Sequence, residues 1–235
     1  MEEDLQEWAR LRSASLRVYL VGANPFTLGF ERLKQLAGMI HEYLPQVTSI
    51  GGFCRIRITD ITPKTDEQLT ELHRLGYDQL IIGTESADDV VLDFMNKGFH
   101  VKDTVEQLGR LDKAGISYHI NHMNGLAGAG KAQESALTLA ELYNRLHPIA
   151  INLTDLTVVP GSELYREIKA GNYKEPSALE LLEEQKLFIE NLTIPAVVNL
   201  YSGINGVPVA ATLPRDKAEL IGYMEHTIKR MKKAN

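Results

Sequence analysis

Cysteine is nearly missing from these 235 residues: Cys54 stands alone, so the chain can form neither an internal disulfide nor a multi-cysteine metal site of its own. No apolar run is long enough to span a bilayer, and no basic-then-apolar signal segment opens the chain. Both absences point to the cytoplasm. Positive charge is also short. With a formal net charge of −6 and 24% charged residues, a general nucleic-acid surface is not expected. No low-complexity linker divides the chain, and its length suits one large domain with a well-buried core.

What is present is alternation. Five apolar segments read as strands, Arg17–Val21, Val47–Ile50, Gln79–Ile82, Ser117–His122 and Ala150–Leu156, with starts roughly 30 to 40 residues apart, the length of a strand-plus-helix unit. Amphipathic helical stretches lie between them: Phe30–Leu44, Asp66–Leu75 after a Thr65 cap, Lys102–Ala114 and Ala132–Leu146. Gly76 and Gly115 stop two of these helices shortly before the next strand. Such a pattern specifies an α/β fold with a parallel sheet, open or barrel-shaped. The chain starts on a helix, Glu2–Leu11, with no strand before it. After Leu192 the pattern changes: Ile194–Val209 is rich in Pro, Gly and Asn, and a last helix spans Lys217–Lys233. Residues 1–192 are therefore read as the main body, and 193–235 as an extension packed on it.

The stretch from Leu80 to Gly98 is the most informative. Leu80, Ile81 and Ile82 read as a buried strand, and Glu85 follows its end. Ser86 or Asp88 can cap a helix carrying Val90, Val91, Phe94 and Met95 at helical spacing, with Lys97 and Gly98 closing it. A carboxylate and an ammonium thus flank the carboxyl end of a parallel strand, where α/β proteins bind ligands.

Other strand ends are weaker signals. Gly22-Ala23-Asn24-Pro25 after the first strand reads by itself as a turn. Gly51-Gly52 suits a bulge or a close approach to a ligand, Arg55 and Arg57 read as ordinary exposed arginines, and Cys54 as a small buried side chain. His119 and His122 are three apart and so face opposite sides of a strand, which disfavours a shared metal. Gly125, Gly128 and Gly130 before a helix resemble a phosphate loop, but Lys131 is followed by Ala132 rather than Ser or Thr. Ser162 can cap the helix after the fifth strand.

Taken in order, Asn24, Ile-Gly-Thr-Glu-Ser at 82–86, Asn-Lys-Gly at 96–98, Asn-Gly-Leu-Ala-Gly at 124–128 and Val-Pro-Gly-Ser-Glu-Leu-Tyr at 159–165 resemble the radical S-adenosylmethionine superfamily. The likeness is to its coproporphyrinogen-oxidase-like and Elongator-like branch of iron–sulfur oxidoreductases, and Leu213-Pro214-Arg215-Asp216-Lys217 resembles the end of that branch. The resemblance implies a partial, open, TIM-like (βα) barrel, here of about five βα units, with the first strand of the family's six missing and a C-terminal extension.

It also implies roles. Gly22 and Asn24 match the site for the methionine amino group. Glu85 matches a polar contact to S-adenosylmethionine, and Lys97 the partner of the methionine carboxylate. Asn121 matches a ribose-binding position, while Met123, Gly125, Leu126 and Val159 match the adenine-contacting edges. The family holds a [4Fe–4S] cluster on Cys-x3-Cys-x2-Cys, and reductive cleavage of S-adenosylmethionine then starts radical chemistry on a second substrate. Those cysteines are absent here. The expected cofactor is S-adenosylmethionine, with the cluster belonging to a full-length parent and not to this chain.

Two explanations are open, a shortened piece of a longer enzyme or a cluster-less relative. The chain alone is expected to run no radical chemistry. The alternatives are a nucleoside-binding or protein-interaction module, or an ordinary TIM-type enzyme resting on Glu85, Lys97 and Asn121. An unpaired barrel edge implies a homodimer.

Overall fold

The computed structural model describes residues 2–11, 14–22, 24–56, 60–201 and 209–234. The described residues form α1 (Glu2–Arg10), β1 (Arg17–Leu20), α2 (Phe30–Tyr43), β2 (Ser49–Arg55), α3 (Asp66–Arg74), β3 (Leu80–Glu85), α4 (Asp89–Phe94) and α5 (Val101–Ala114). After these come β4 (Tyr118–Asn124), α6 (Ala132–Tyr143), β5 (Ala150–Asp155), α7 (Glu163–Ala170), α8 (Ala178–Asn191), β6 (Val197–Tyr201), β7 (Val209–Thr212) and α9 (Lys217–Ala234). The seven strands hydrogen-bond in chain order from β1 to β7. β1–β2, β2–β3 and β5–β6 are parallel pairs, whereas β7 runs antiparallel to β6. Helix-separated strands that lie side by side in chain order are the signature of repeated βαβ units.

The helix starts follow from local chemistry. Thr65 accepts from the Gln68 amide while Gln68 reaches back to the Thr65 amide, and Ser177 does the same with Glu180. Each such reciprocal cap satisfies two donors that a helix leaves unpaired. Asp88 rather than Ser86 caps α4, accepting from Val90 N at 2.8 Å, and Ser162 caps α7.

Several sequence expectations shift. β3 is not buried on both sides: Leu80, Ile82 and Thr84 are buried while Ile81, Gly83 and Glu85 are half-exposed. α4 is six residues long and turns Leu92 inward, leaving Val90 and Phe94 exposed. In so short a helix a single position per turn reaches the core, and the choice falls to packing rather than to the apolar count. The helix ends before Lys97, and Asn96 takes the left-handed turn at φ 50° two residues ahead of Gly98. Residues 193–235 also hold a sixth parallel strand, β6, that the Pro- and Gly-rich composition obscured.

The chain divides into two compact units, residues 1–83 with 102–119 and residues 84–101 with 120–235. The first buries Leu33, Ile40, Ile50, Leu72, Tyr77 and Leu108, all essentially inaccessible. The Tyr77 hydroxyl donates to Leu33 O at 2.8 Å, which removes the cost of burying a phenol. The second centres on Ile120, Leu139, Ile151, Leu182, Phe188, Val198 and Met224.

Candidate functional site

Glu85 closes β3 with a φ of 63°, a left-handed backbone that costs a non-glycine residue energy and is retained mainly where it aims a functional group. Its Oε2 lies 3.1 Å from Lys97 Nζ, and the two side chains keep 22% and 24% of their surface. The turn at Asn96 and Gly98 sets the lysine there. A partly exposed ion pair of this kind presents both signs of charge side by side at the strand end.

Asn121 and Met123 share the half-exposed face of β4, while Tyr118, Ile120, His122 and Asn124 face inward. The expected separation of the histidines therefore holds. His122 is stacked against Phe188, and burial pushes its imidazole down to about 3, so it stays neutral in the core. Asn121 Oδ1 accepts from Asn152 Nδ2 at 2.8 Å, and Asn152 Oδ1 accepts from Asn199 Nδ2 at 2.8 Å.

The glycine loop after β4 is closed rather than open to phosphate. Gly125 N donates to Glu184 Oε2 at 3.1 Å, Gly130 N to Glu180 Oε1 at 2.7 Å, and Tyr173 donates its hydroxyl to Gly125 O at 2.5 Å. Carboxylates already occupy the amides that would cradle a phosphate, and they would repel one. Leu126 is buried and Val159 is 62% exposed. Within the second unit the structure thus joins Glu85 to Lys97 and ties Asn121 into an amide chain, while Gly125 is committed to its own loop.

Gly22 and Asn24 belong to the first unit. Gly22 sits at φ 123° with open space beside it, a backbone that strongly favours glycine. Asn24 is 8% exposed. Its Nδ2 donates to the buried carboxylate of Asp60, and its Oδ1 has no partner. Gly51 and Gly52 make room for neighbours rather than for a ligand, since an added Cβ would come within 2.7 Å of the Tyr19 ring and 2.9 Å of Pro25. Cys54 is buried, and burial, ahead of the nearby Asp60, pushes its thiol well above the usual value. It is a packing residue and not a nucleophile. Arg57 lies outside the described residues.

Within the second unit the groups suit S-adenosylmethionine in kind: a carboxylate beside an ammonium at Glu85 and Lys97, and an amide on Asn121 whose oxygen is engaged by Asn152; Asn24, in the first unit, carries a buried acceptor without a partner. They do not suit an iron–sulfur cluster. Among the described residues no three His, Cys, Asp or Glu side chains gather around a point, and the one thiol is buried. Asn152, Asn199 and Glu184 went unnoticed in the sequence. A faint signal was there, a single asparagine inside each of the apolar runs Ile151-Asn152-Leu153 and Val198-Asn199-Leu200.

Comparison with known proteins bears on the fold. The chain superposes on the archaeal Elp3 of Methanocaldococcus infernus with an N-terminal deletion (TM-score 0.62, 16% identity, 85% of this chain and 50% of that one). It superposes equally on coproporphyrinogen III oxidase (HemN) of Escherichia coli, a radical SAM enzyme (TM-score 0.62, 20% identity, 80% of this chain and 43% of that one). In fold the chain is therefore like these two proteins, an α/β architecture with an open, mostly parallel sheet, consistent with a partial TIM-like barrel. In sequence, the tRNA uridine(34) acetyltransferase of Methanocaldococcus jannaschii is 25% identical over 128 residues, 52% of this chain and 23% of that protein. The corresponding protein of Methanocaldococcus infernus is 24% identical over 129 residues, 52% of this chain. The chain spans about a quarter of the length of these curated relatives, 23% and 24%. No family model matches.

Proposed function

We propose that this chain is a radical-SAM-type module that binds S-adenosylmethionine through Glu85, Lys97 and Asn121 and by itself runs no radical chemistry. The Glu85–Lys97 pair, 3.1 Å apart at a strand end, is the observation that carries the reading. An amino-acid zwitterion offers an ammonium to the carboxylate and a carboxylate to the lysine, and charge-assisted bonds of that sort are the strong ones. The spare amide of Asn121 suits a ribose oxygen. Bound S-adenosylmethionine supplies the group that reductive cleavage acts on. The chain's own residues bind and orient it, and the reductant must come from elsewhere.

The parent chemistry is oxidoreductive, and we place the chain in the cytoplasm, where a free cysteine stays reduced. The curated relatives act on tRNA. With a net charge of −6, this chain offers no general phosphate-binding surface of its own. A second reading, an interaction module without the cofactor, is favoured by exposed Val90 (75%) and Phe94 (44%) on α4.

Calorimetric titration of the purified chain separates the two. Measurable S-adenosylmethionine binding that weakens about tenfold in Glu85→Ala and in Lys97→Ala is expected. No heat at millimolar S-adenosylmethionine or S-adenosylhomocysteine would overturn the binding role and leave the interaction reading. Anaerobic iron and sulfide should give no stoichiometric cluster; a stable [4Fe–4S] absorbance would refute the inactivity of the isolated chain.

A further inference from the structure

Three asparagines stand in a row across β4, β5 and β6 of the second unit. Asn199 Nδ2 donates to Asn152 Oδ1 and Asn152 Nδ2 donates to Asn121 Oδ1, each at 2.8 Å. Asn152, 8% exposed, is directly opposite Asn199 in the parallel register, and both ends of its amide are spent. On the far side, Asn199 faces Ala210 of β7, whose methyl group offers no competing bond. The row is directional. Turning one amide alone would set two NH2 groups, or two oxygens, face to face. The three therefore turn together or not at all, and the free end at Asn121 is Nδ2.

We infer that Asn152 and Asn199 are positioning residues that hold Asn121 with its donor toward the ligand, making this an acceptor-selective subsite. A hydroxyl, ether or carbonyl oxygen satisfies it, and an ammonium in the same place meets a second donor. The inference rests on the binding role proposed above. An aspartate at position 121 would ask the opposite of a ligand, namely a hydroxyl that donates.

Asn199→Asp tests the row from its half-exposed end. A carboxylate cannot donate, so Asn152 must turn to give its NH2 to Asp at that position, and Asn121 must turn in consequence. The readout is side-chain amide exchange by 15N NMR on the unliganded full chain. In the wild type the NH2 groups of Asn152 and Asn199 are protected and that of Asn121 exchanges freely. In Asn199→Asp the Asn121 NH2 becomes protected by about tenfold or more, two strands from the substitution. Asn152→Asp gives the same result by a shorter route if the first variant folds poorly. Unchanged exchange at Asn121 in a folded variant would overturn the inference.

Titration with adenosine and 2′-O-methyladenosine reads the ligand side, because the ether oxygen accepts but cannot donate. The loss on methylation grows about fivefold once the amide has turned, and an equal loss in both proteins would overturn the selectivity. Should the wild type bind neither S-adenosylmethionine nor adenosine while the exchange pattern reverses as described, the binding role fails and the directional row stands.

Discussion

Burial raises the Glu184 carboxyl from its usual 4.5 to about 7, against the pull of the Ser135 hydroxyl and Gly125 amide that donate to it. The folded chain then holds a proton that the unfolded chain has released across the interval from about 4.5 to about 7. Stability therefore falls as pH rises through that window, and the full cost is present above it. Glu184→Gln keeps an acceptor for Gly125 N and loses the charge. It is expected to stabilise the protein by on the order of 3 kcal/mol at pH 8, with the difference fading below about pH 4.5. Urea titrations of both proteins across that range check it; a pH-independent difference would show that the carboxyl is not the cause. Nothing in Leu181-Leu182-Glu183-Glu184-Gln185 marks one glutamate as buried, since the helix pattern carries acids on both sides of the turn. By contrast, the roles of Thr65 and Ser162 as caps were legible, because capping depends on neighbours three residues away.

At the level of the element, the loop from β4 to α6 shows how a glycine pattern misleads. Gly125, Gly128 and Gly130 all have positive φ, 86°, 86° and 80°, as a phosphate loop would. Here the same geometry lets the loop turn beneath α8 and the segment before it. A Cβ on Gly125 would lie 2.7 Å from Leu181 and 2.9 Å from Pro176. With the left-handed strain added, Gly125→Ala is expected to cost roughly 2–4 kcal/mol, read as a lower urea midpoint with an unchanged slope. Gly130 meets nothing within 4 Å, so Gly130→Ala bears the backbone strain alone and should cost less. α4 makes a similar point. Its cap and its apolar residues were readable at Asp88 and Val90 to Met95, but which one is buried was not.

For the molecule as a whole, β1 stands first in the strand order, with β2 as its described neighbour. Leu16, Tyr19 and Val21 around it are 57%, 39% and 80% exposed. Open edges with apolar flanks favour pairing with another strand, and the expected homodimer is tested there. Light scattering should show a mass that rises with concentration, and Tyr19→Lys should return it to the monomer. A concentration-independent monomer in the wild type would remove the dimer. The fold likeness to HemN and Elp3 extends over 80% and 85% of this chain, so the order of elements is shared far beyond the short motifs.

The strand-and-helix alternation, the helix caps, the opposite facing of His119 and His122 and the placing of Glu85 and Lys97 near one strand end were all present in the sequence. Each depends on spacings of a few residues, which the backbone periods of helix and strand translate directly into positions. Tertiary structure decided what depends on partners far along the chain: Asp60 on Asn24, Glu184 on Gly125, and the run of amides from Asn199 through Asn152 to Asn121. Those groups lie 30 to 60 residues apart, and no local rule records which of many polar side chains will meet. Burial makes the meeting obligatory, because a polar group removed from water must find a partner or pay for its absence.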